Sequence, residues 1–368
     1  MTRTKFGVVL FVLSISLLSG CIVPPSPASV CVPTATPFGG GTGTSSDPYL
    51  VCDRSHLDQV RNQPNMIYLQ TVSISLGGSG NPFNPIANFG GQYDGSGFQI
   101  QDFYYNNSSD TYVGLFKQIL SGAMVSNVSM TNANVTGYQY VGALAGELDG
   151  TAANCTTDGV VNGTYRVGGL AGWLVAGHLS QSSTTATANG YDMVGGLAGD
   201  NYYGTIQECF SATGSITGQT RVGGAVGVNS YGSVANSYTT SQVHGAYNYA
   251  TNQVGGFIGL NMGTIATSYS ATNGLPYMGA LTWVFVGATS GGSIANCYYY
   301  DAGGLPAPVV AGVTSLTNAQ MQTQGSFTGY DFTTPLWKMP TVNPLAPFSP
   351  QQLAPVLNWQ CSSNGVSC

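Results

Sequence analysis

Apolar and small residues recur along this chain with a period far longer than that of a helix or a strand. Val113-Gly114-Leu115-Phe116 opens a series that continues as VGALAG from Val141, VGGLAG from Val167 and again from Val194, VGGAVG from Val222 and VGGFIG from Val254. A degraded WVFVGATSGG follows from Trp283. Successive valines are 28, 26, 27, 28 and 32 residues apart. A second signature follows each: GAMVSN, GTAANC, GHLSQS, GTIQEC, GSVANS, GTIATS and GSIANC. In most copies a third short run ends at glycine, as in ANVTG, GVVNG, TATANG, GSITG and SQVHG. Each copy therefore holds two or three β-forming runs separated by Gly, Asn or Ser, with no amphipathic helix between them. One copy alone cannot bury a core, but stacked copies can. The pattern predicts an all-β fold, a single parallel β-helix of about seven rungs with three faces and rungs ~4.8 Å apart. Right-handed winding follows from the usual hand of parallel β connections.

Finer positions fit the same stack. In GTIQEC, Ile206 and Cys209 are three apart, so a straight strand would point them to opposite faces. A bend at the position held by Asn154, Glu208, Asn236 and Asn296 would turn both inward, and Asn suits a left-handed corner. Next to it the alignment predicts a ladder of Asn127, Cys155, Ser182, Cys209, Ser237, Ser268 and Cys297. Cys155 and Cys209 would lie two rungs apart, or ~9.6 Å, beyond disulfide reach. Cys155, Cys209 and Cys297 are thus expected to be buried free thiols. The glycine hexamer is not a phosphate loop, because no Gly-Lys-Ser/Thr follows any copy. Its glycines are expected where backbones pass closely at corners.

The two ends read differently. Residues 1–20 have a basic start (Arg3, Lys5) and an apolar run, Phe6 to Leu18, too short to span a bilayer. They read as a signal peptide. Leu18-Ser19-Gly20-Cys21 resembles a bacterial lipobox, which implies lipid on Cys21 as the link to a membrane. Ile22 rather than Asp after the cysteine points, by the same resemblance, to the outer membrane. Residues 21–46, rich in Pro, Ser, Thr and Gly, read as a flexible tether. Residues 47–111 are expected to lead into and cap the repeats, 112–301 to form the β-helix, and 302–368 to cap the far end. Helix starts are expected at Ser55-x-x-Asp58, with Leu57 and Val60 inward, and at Thr317-x-x-Gln320, with Met321 inward. Trp337 and Trp359 would close that end. Cys31 with Cys52, and Cys361 with Cys368, are candidate disulfides in an oxidising envelope.

At this point the chain resembles the GLUG-motif bacterial surface proteins. Besides the hexamers, GGGTGTSSDPYLV (39–51), HLDQVR (56–61), MIYLQTVSISL (66–76), FNPIANFGGQYDGSGFQIQDF (83–103) and YVGLF (112–116) follow that family's leading region in order. TSLTNAQMQTQGSFTGYDFTTPLW (314–337) and PVLNWQ (355–360) follow its closing region. Phe98 stands where His is common and Ala87 where Gly is. The resemblance implies an adhesive or binding surface module with no family-wide catalytic residues and no cofactor.

Composition restricts the chemistry. Charged residues are 6% of the chain and the formal net charge is −6, with 52 Gly and 22 Tyr. No basic patch is available to neutralise phosphates, so nucleic acid is excluded as a partner. His56, His178 and His244 occupy unrelated repeat phases, so no shared metal site is expected. Asp94 in YDGSG reads as a turn residue. Arg166, Asp192 and Arg221 lie near one column, either as a small charged site or as a solvated ion pair worth under ~1 kcal/mol. Tyr138, Tyr140, Tyr165, Tyr191, Tyr247 and Tyr249 crowd the turn before the valine signature, and Phe210, Tyr238, Tyr269 and Tyr298 share another column. Each set would form an aromatic strip, able to hold glycan or protein, or simply to stack along the sheet. Three functions stand: a lipid-anchored binding or adhesive module, a structural envelope component without a dedicated ligand, and a polysaccharide lyase or hydrolase. The last needs clustered carboxylates, and the repeats hold few.

Overall fold

The computed structural model describes residues 30–33, 35–212, 214–245, 253–272, 285–301, 310–334, 336–339 and 354–363. It is an all-β parallel solenoid whose strands fall into four parallel sheets of ten, fourteen, seven and six strands. One coil shows the path. Tyr165–Gly168 lies in the six-stranded sheet, Ala171–Val175 in the seven-stranded, and His178–Ser180 in the ten-stranded. Ser183–Thr184 and Thr187–Asn189 lie in the fourteen-stranded sheet, and Asp192–Gly195 returns to the six-stranded one. The face expected to carry the hexamer is thus two sheets, because Val-Gly-Gly and Leu-Ala-Gly fall on either side of a corner.

Equivalent residues pair from coil to coil. Val141, Val167, Val194, Val222 and Val254 form one continuous register, all buried. Ala152, Leu179, Ile206 and Val234 form another, also buried. The glycines explain the hexamer. A methyl on Gly172 would lie 2.3 Å from Tyr140 backbone one coil earlier, and one on Gly168 would lie 2.7 Å from Ala198 Cα one coil later. The six- and seven-stranded sheets therefore touch backbone to backbone, which only glycine permits.

The left-handed corner is present at Asn154, Glu208, Asn236 and Asn296, with φ of 52°, 56°, 48° and 52°. Asn127 belongs to this corner, φ 54°, and not to the ladder as expected. The reason is phase: Val125 pairs with Ala152, so Val128 takes the ladder position beside Cys155. The ladder itself is continuous: Cys155 N–H donates to Ser182 Oγ at 3.0 Å, and Cys209 N–H to Ser237 Oγ at 3.1 Å. Cys155, Cys209 and Cys297 are buried free thiols. Burial pushes Cys155 and Cys209 up to about 12.

Strands Tyr49–Val51, Ile67–Gln70 and Gln92–Asp94 extend the ten-stranded sheet ahead of the repeats. The helix Arg54–Gln59 is capped by Asp53, whose Oδ1 accepts the His56 N–H at 2.8 Å, rather than by Ser55. Leu57 and Val60 are buried as expected. At Thr317 the capping box forms and Met321 is buried. Asp94 Oδ1 accepts the Ser96 N–H at 2.8 Å, a side-chain-closed turn. Cys31 and Cys52 are bonded. Cys21, Cys368 and the Cys361 side chain lie outside the described residues.

The C-terminal segment follows expectation at its start, where Val313–Leu316 pairs with Cys297–Tyr300 at the far end of the fourteen-stranded sheet. The rest departs from it and packs along the side of the solenoid over the aromatic column. Phe210, Tyr238, Tyr269 and Tyr298 form a second core with Phe327, Tyr330, Trp337 and Leu357, with Trp359 packed against it. Burying four large rings outweighs closing a small coil end.

Candidate functional site

The expected tyrosine set divides in two. In the six-stranded sheet the segments before each valine carry Tyr138, Tyr165 and Tyr191, whose rings meet edge to face at 5.8 and 6.1 Å. Tyr138 and Tyr191 are exposed. Tyr140 leaves this row because it sits at a second left-handed kink, shared by Tyr112, Arg166, Met193 and Arg221, with φ of 41° to 57° across the column. Tyr140 stacks on Tyr112 at 4.6 Å and on Trp173 of the seven-stranded sheet at 4.9 Å. Trp173 continues to Tyr202 (6.1 Å), Tyr202 to Tyr203 (4.6 Å) and Tyr203 to Tyr231 (5.3 Å). Six rings thus form an unbroken strip. Tyr203 and Tyr231 are its most open members, 56% and 57% exposed. Tyr247 and Tyr249 lie outside the described residues.

The charges are arranged differently from the sequence reading. Arg166 does not meet Asp192. Its Nε donates to Asp200 Oδ2 at 3.0 Å, and its guanidinium lies 5.2 Å from the Tyr140 ring and 5.6 Å from Trp173. Asp200 Oδ1 accepts from Ser230 Oγ at 2.7 Å. Asp192 pairs with Arg221, accepting from Arg221 Nε at 2.7 Å and from Thr220 Oγ1 at 2.6 Å. Neither carboxylate is solvated as expected: both are buried, each covered by its arginine. Arg166 crosses the corner to a partner in the neighbouring sheet, whereas Arg221 at the same kink stays with Asp192 of its own sheet.

Burial shapes these acids. It raises Asp200 above the ordinary carboxylate range despite Ser230 and Arg166. Asp192 also feels burial, but hydrogen bonds from Arg221 and Thr220 outweigh it and hold the carboxyl below that range. Half-buried Glu147 is raised by burial, with Gln118 Nε2 donating to it at 3.3 Å. Glu147 and Asp200 flank Trp173 in neighbouring strands of one register.

Trp173, Asp200, Tyr202, Tyr203 and Tyr231 were missed from the sequence. A usable signal existed: Trp173 and Asp200 each lie six after their valine, in one register with Glu147 and Val228. Among the described residues, the one cluster of potential metal ligands is Cys31, Cys52 and His56, and its two sulfurs are bonded to each other.

No family model matches the chain. It is 36% identical over 149 residues to halomucin of Haloquadratum walsbyi, covering 36% of this chain and 2% of that protein. It is 34% identical over 134 residues to a Gly-rich membrane protein of Evansella cellulosilytica, covering 33% of this chain and 16% of that protein. The chain thus spans a small part of these relatives. A solved structure of a candidate immunoglobulin A1 protease from Bacteroides ovatus shares the fold, with a TM-score of 0.58 at 19% identity, covering 88% of this chain and 95% of that one.

Proposed function

We propose that this chain is a non-catalytic binding module of the bacterial cell envelope, of the GLUG-motif type. It is carried on lipid at Cys21 at the outer membrane and contacts a partner protein through its exposed tyrosine strips. The observation that carries the reading is the open end of the six-ring strip at Tyr202, Tyr203 and Tyr231. Tyrosine supplies rigid contact area at low entropic cost, with a polar tip that tolerates water when unbound. Tyr112 and Tyr140 lie face to face, as do Tyr203 and Tyr231, so ring faces are spent on each other and edges and hydroxyls meet the partner. This favours a protein surface over a stacked sugar. The membrane-protein name of one relative supports the envelope. Arginine pairing of Asp192 and Asp200 argues against their use as general acid and base.

Protein and glycan arrays probed with the wild type and with a Tyr203→Ala/Tyr231→Ala variant test the reading. A protein partner whose affinity falls at least ~30-fold in the variant, with an unchanged melting transition, supports it. Equal signal from both chains, or signal on glycans alone, overturns it. Tyr165→Ala/Tyr191→Ala asks the same of the edge-to-face row.

A further inference from the structure

On the side of the molecule that carries the C-terminal segment, one column of the fourteen-stranded sheet changes character along its length. In register it reads Ser129, Thr156, Ser183, Phe210, Tyr238, Tyr269 and Tyr298. The C-terminal segment lies over the aromatic half, and Trp359 packs on Phe210 at 5.6 Å. Beside Trp359 the Ser129 and Thr156 end of the column lines a groove of about 190 Å³. Its lining includes Ser129, Thr156, Asn127, Asn154 and the Trp359 ring.

We propose that this groove binds one neutral sugar ring of the pyranose class. Size is the first argument: at about 190 Å³ the groove lies below the range of about 300–1,000 Å³ typical of pockets for larger ligands, so it suits a single ring rather than a chain. Chemistry is the second. Trp359 is fixed by its contact with Phe210 and by Nε1 donating to the Glu208 carbonyl at 3.1 Å, so it offers a rigid apolar wall. Facing it are amides and hydroxyls already aligned by bonds to each other. Asn154 Nδ2 donates to Asn127 Oδ1 at 2.6 Å, Asn127 Nδ2 to Asp94 Oδ1 at 2.9 Å, and Thr156 Oγ1 to Ser129 Oγ at 3.0 Å. Each amide keeps a second N–H, and Ser129 keeps its hydroxyl proton, for a ligand. An apolar wall opposite convergent neutral donors and acceptors is the pattern that recognises a hydroxylated ring. Among the described residues no Lys, Arg or His lines the groove, and Asp94 stands behind it, so a phosphorylated, sulfated or uronic ring is disfavoured.

The site is separate from the tyrosine strips and does not depend on them. The test is saturation-transfer NMR on the full chain, in a non-glycosidic detergent, with the methyl glycosides of glucose, galactose and mannose and with N-acetylglucosamine. Methyl glucuronide and glucose 6-phosphate are the charged comparisons. At least one neutral ring is expected to saturate, with Kd on the order of 1–10 mM. The charged analogues are expected to bind at least ~10-fold more weakly. Thr156→Tyr continues the aromatic ladder of later coils into the groove, and should abolish binding without unfolding the chain. Asn154→Gly keeps the left-handed corner, removes one amide and should weaken binding ~10-fold. Tyr203→Ala/Tyr231→Ala should leave the sugar affinity unchanged. No saturable neutral ring overturns the proposal. So does full binding by a folded Thr156→Tyr or Asn154→Gly chain, or equal binding of the charged analogues.

Discussion

The two aromatic rows of this solenoid are built alike and end differently. Phe210, Tyr238 and Tyr269 stack at 5.1 and 4.8 Å with planes 5° apart, much as Tyr112 and Tyr140 stack at 4.6 Å and 12°. The first row lies under the C-terminal segment, which accounts for its hydroxyls one by one. Tyr238 OH donates to Gln360 Oε1 at 3.0 Å, Tyr269 OH to the Pro355 carbonyl at 2.7 Å, and Tyr298 OH to the Thr328 carbonyl at 3.0 Å. The second row meets solvent from Tyr202 onward. Stacking alone therefore does not mark a binding surface. What separates the rows is whether the chain supplies a matching apolar segment with acceptors at the right heights.

The contrast can be broken by substitution. Trp337 is fully buried over the covered row, so Trp337→Ala should cost about 3–5 kcal/mol in denaturant unfolding. A loss below ~1 kcal/mol would mean that the C-terminal segment is not part of the folded core. The open row conceals a rigid layer of its own at the glycine contacts. A methyl on Gly199 would sit 2.5 Å from the Arg166 carbonyl carbon, so Gly199→Ala should cost about 1–3 kcal/mol. Unchanged stability would show that the two sheets can separate freely.

Between these layers lie the ion pairs, and their pH dependence is opposite in sign. Asp192 has a folded pKa below its unfolded value. Its pairing with Arg221 therefore stabilises above about pH 4 and is lost as pH falls through the folded value. Arg221→Gln should lower stability by about 1–3 kcal/mol at pH 7, and the difference should shrink toward pH 2. A constant difference would refute ionic pairing as its source. Asp200, raised by burial, runs the other way: its ionisation at neutral pH opposes folding, and Ser230 and Arg166 offset that cost. The smallest effect belongs to the open row. Tyr231→Ala should change stability by less than ~0.5 kcal/mol, and a loss comparable to Trp337→Ala would make this row structural rather than available.

Much of the site was legible as columns and little of it as neighbours. The alignment placed Cys155, Ser182 and Cys209 in consecutive layers, where the structure has them. It misphased Asn127 by one position, because GAMVSN and GTAANC match as words but pair one residue apart. Tyr138, Tyr165 and Tyr191 do form a row, whereas Tyr140 crosses to Trp173. Arg166 found Asp200 rather than Asp192. Tyr140 and Arg166 both sit at the left-handed kink, which carries no glycine or asparagine to announce it.

The amino-acid sequence by itself determined the solenoid: its repeat length, the residues that lie one above another, and the left-handed corner. A coil can bury its apolar residues only against its own copies, so repetition in the letters becomes contact in space. Tertiary structure decided which outward residues stay outward. The C-terminal segment covers Phe210, Tyr238, Tyr269 and Tyr298, and its Trp359 forms one wall of the groove beside them. That choice depends on a contact between segments more than a hundred residues apart, such as Tyr238 with Gln360, where no period links the partners. Register propagates between neighbouring copies of a repeat, and nothing comparable sets where a non-repeating tail will lie.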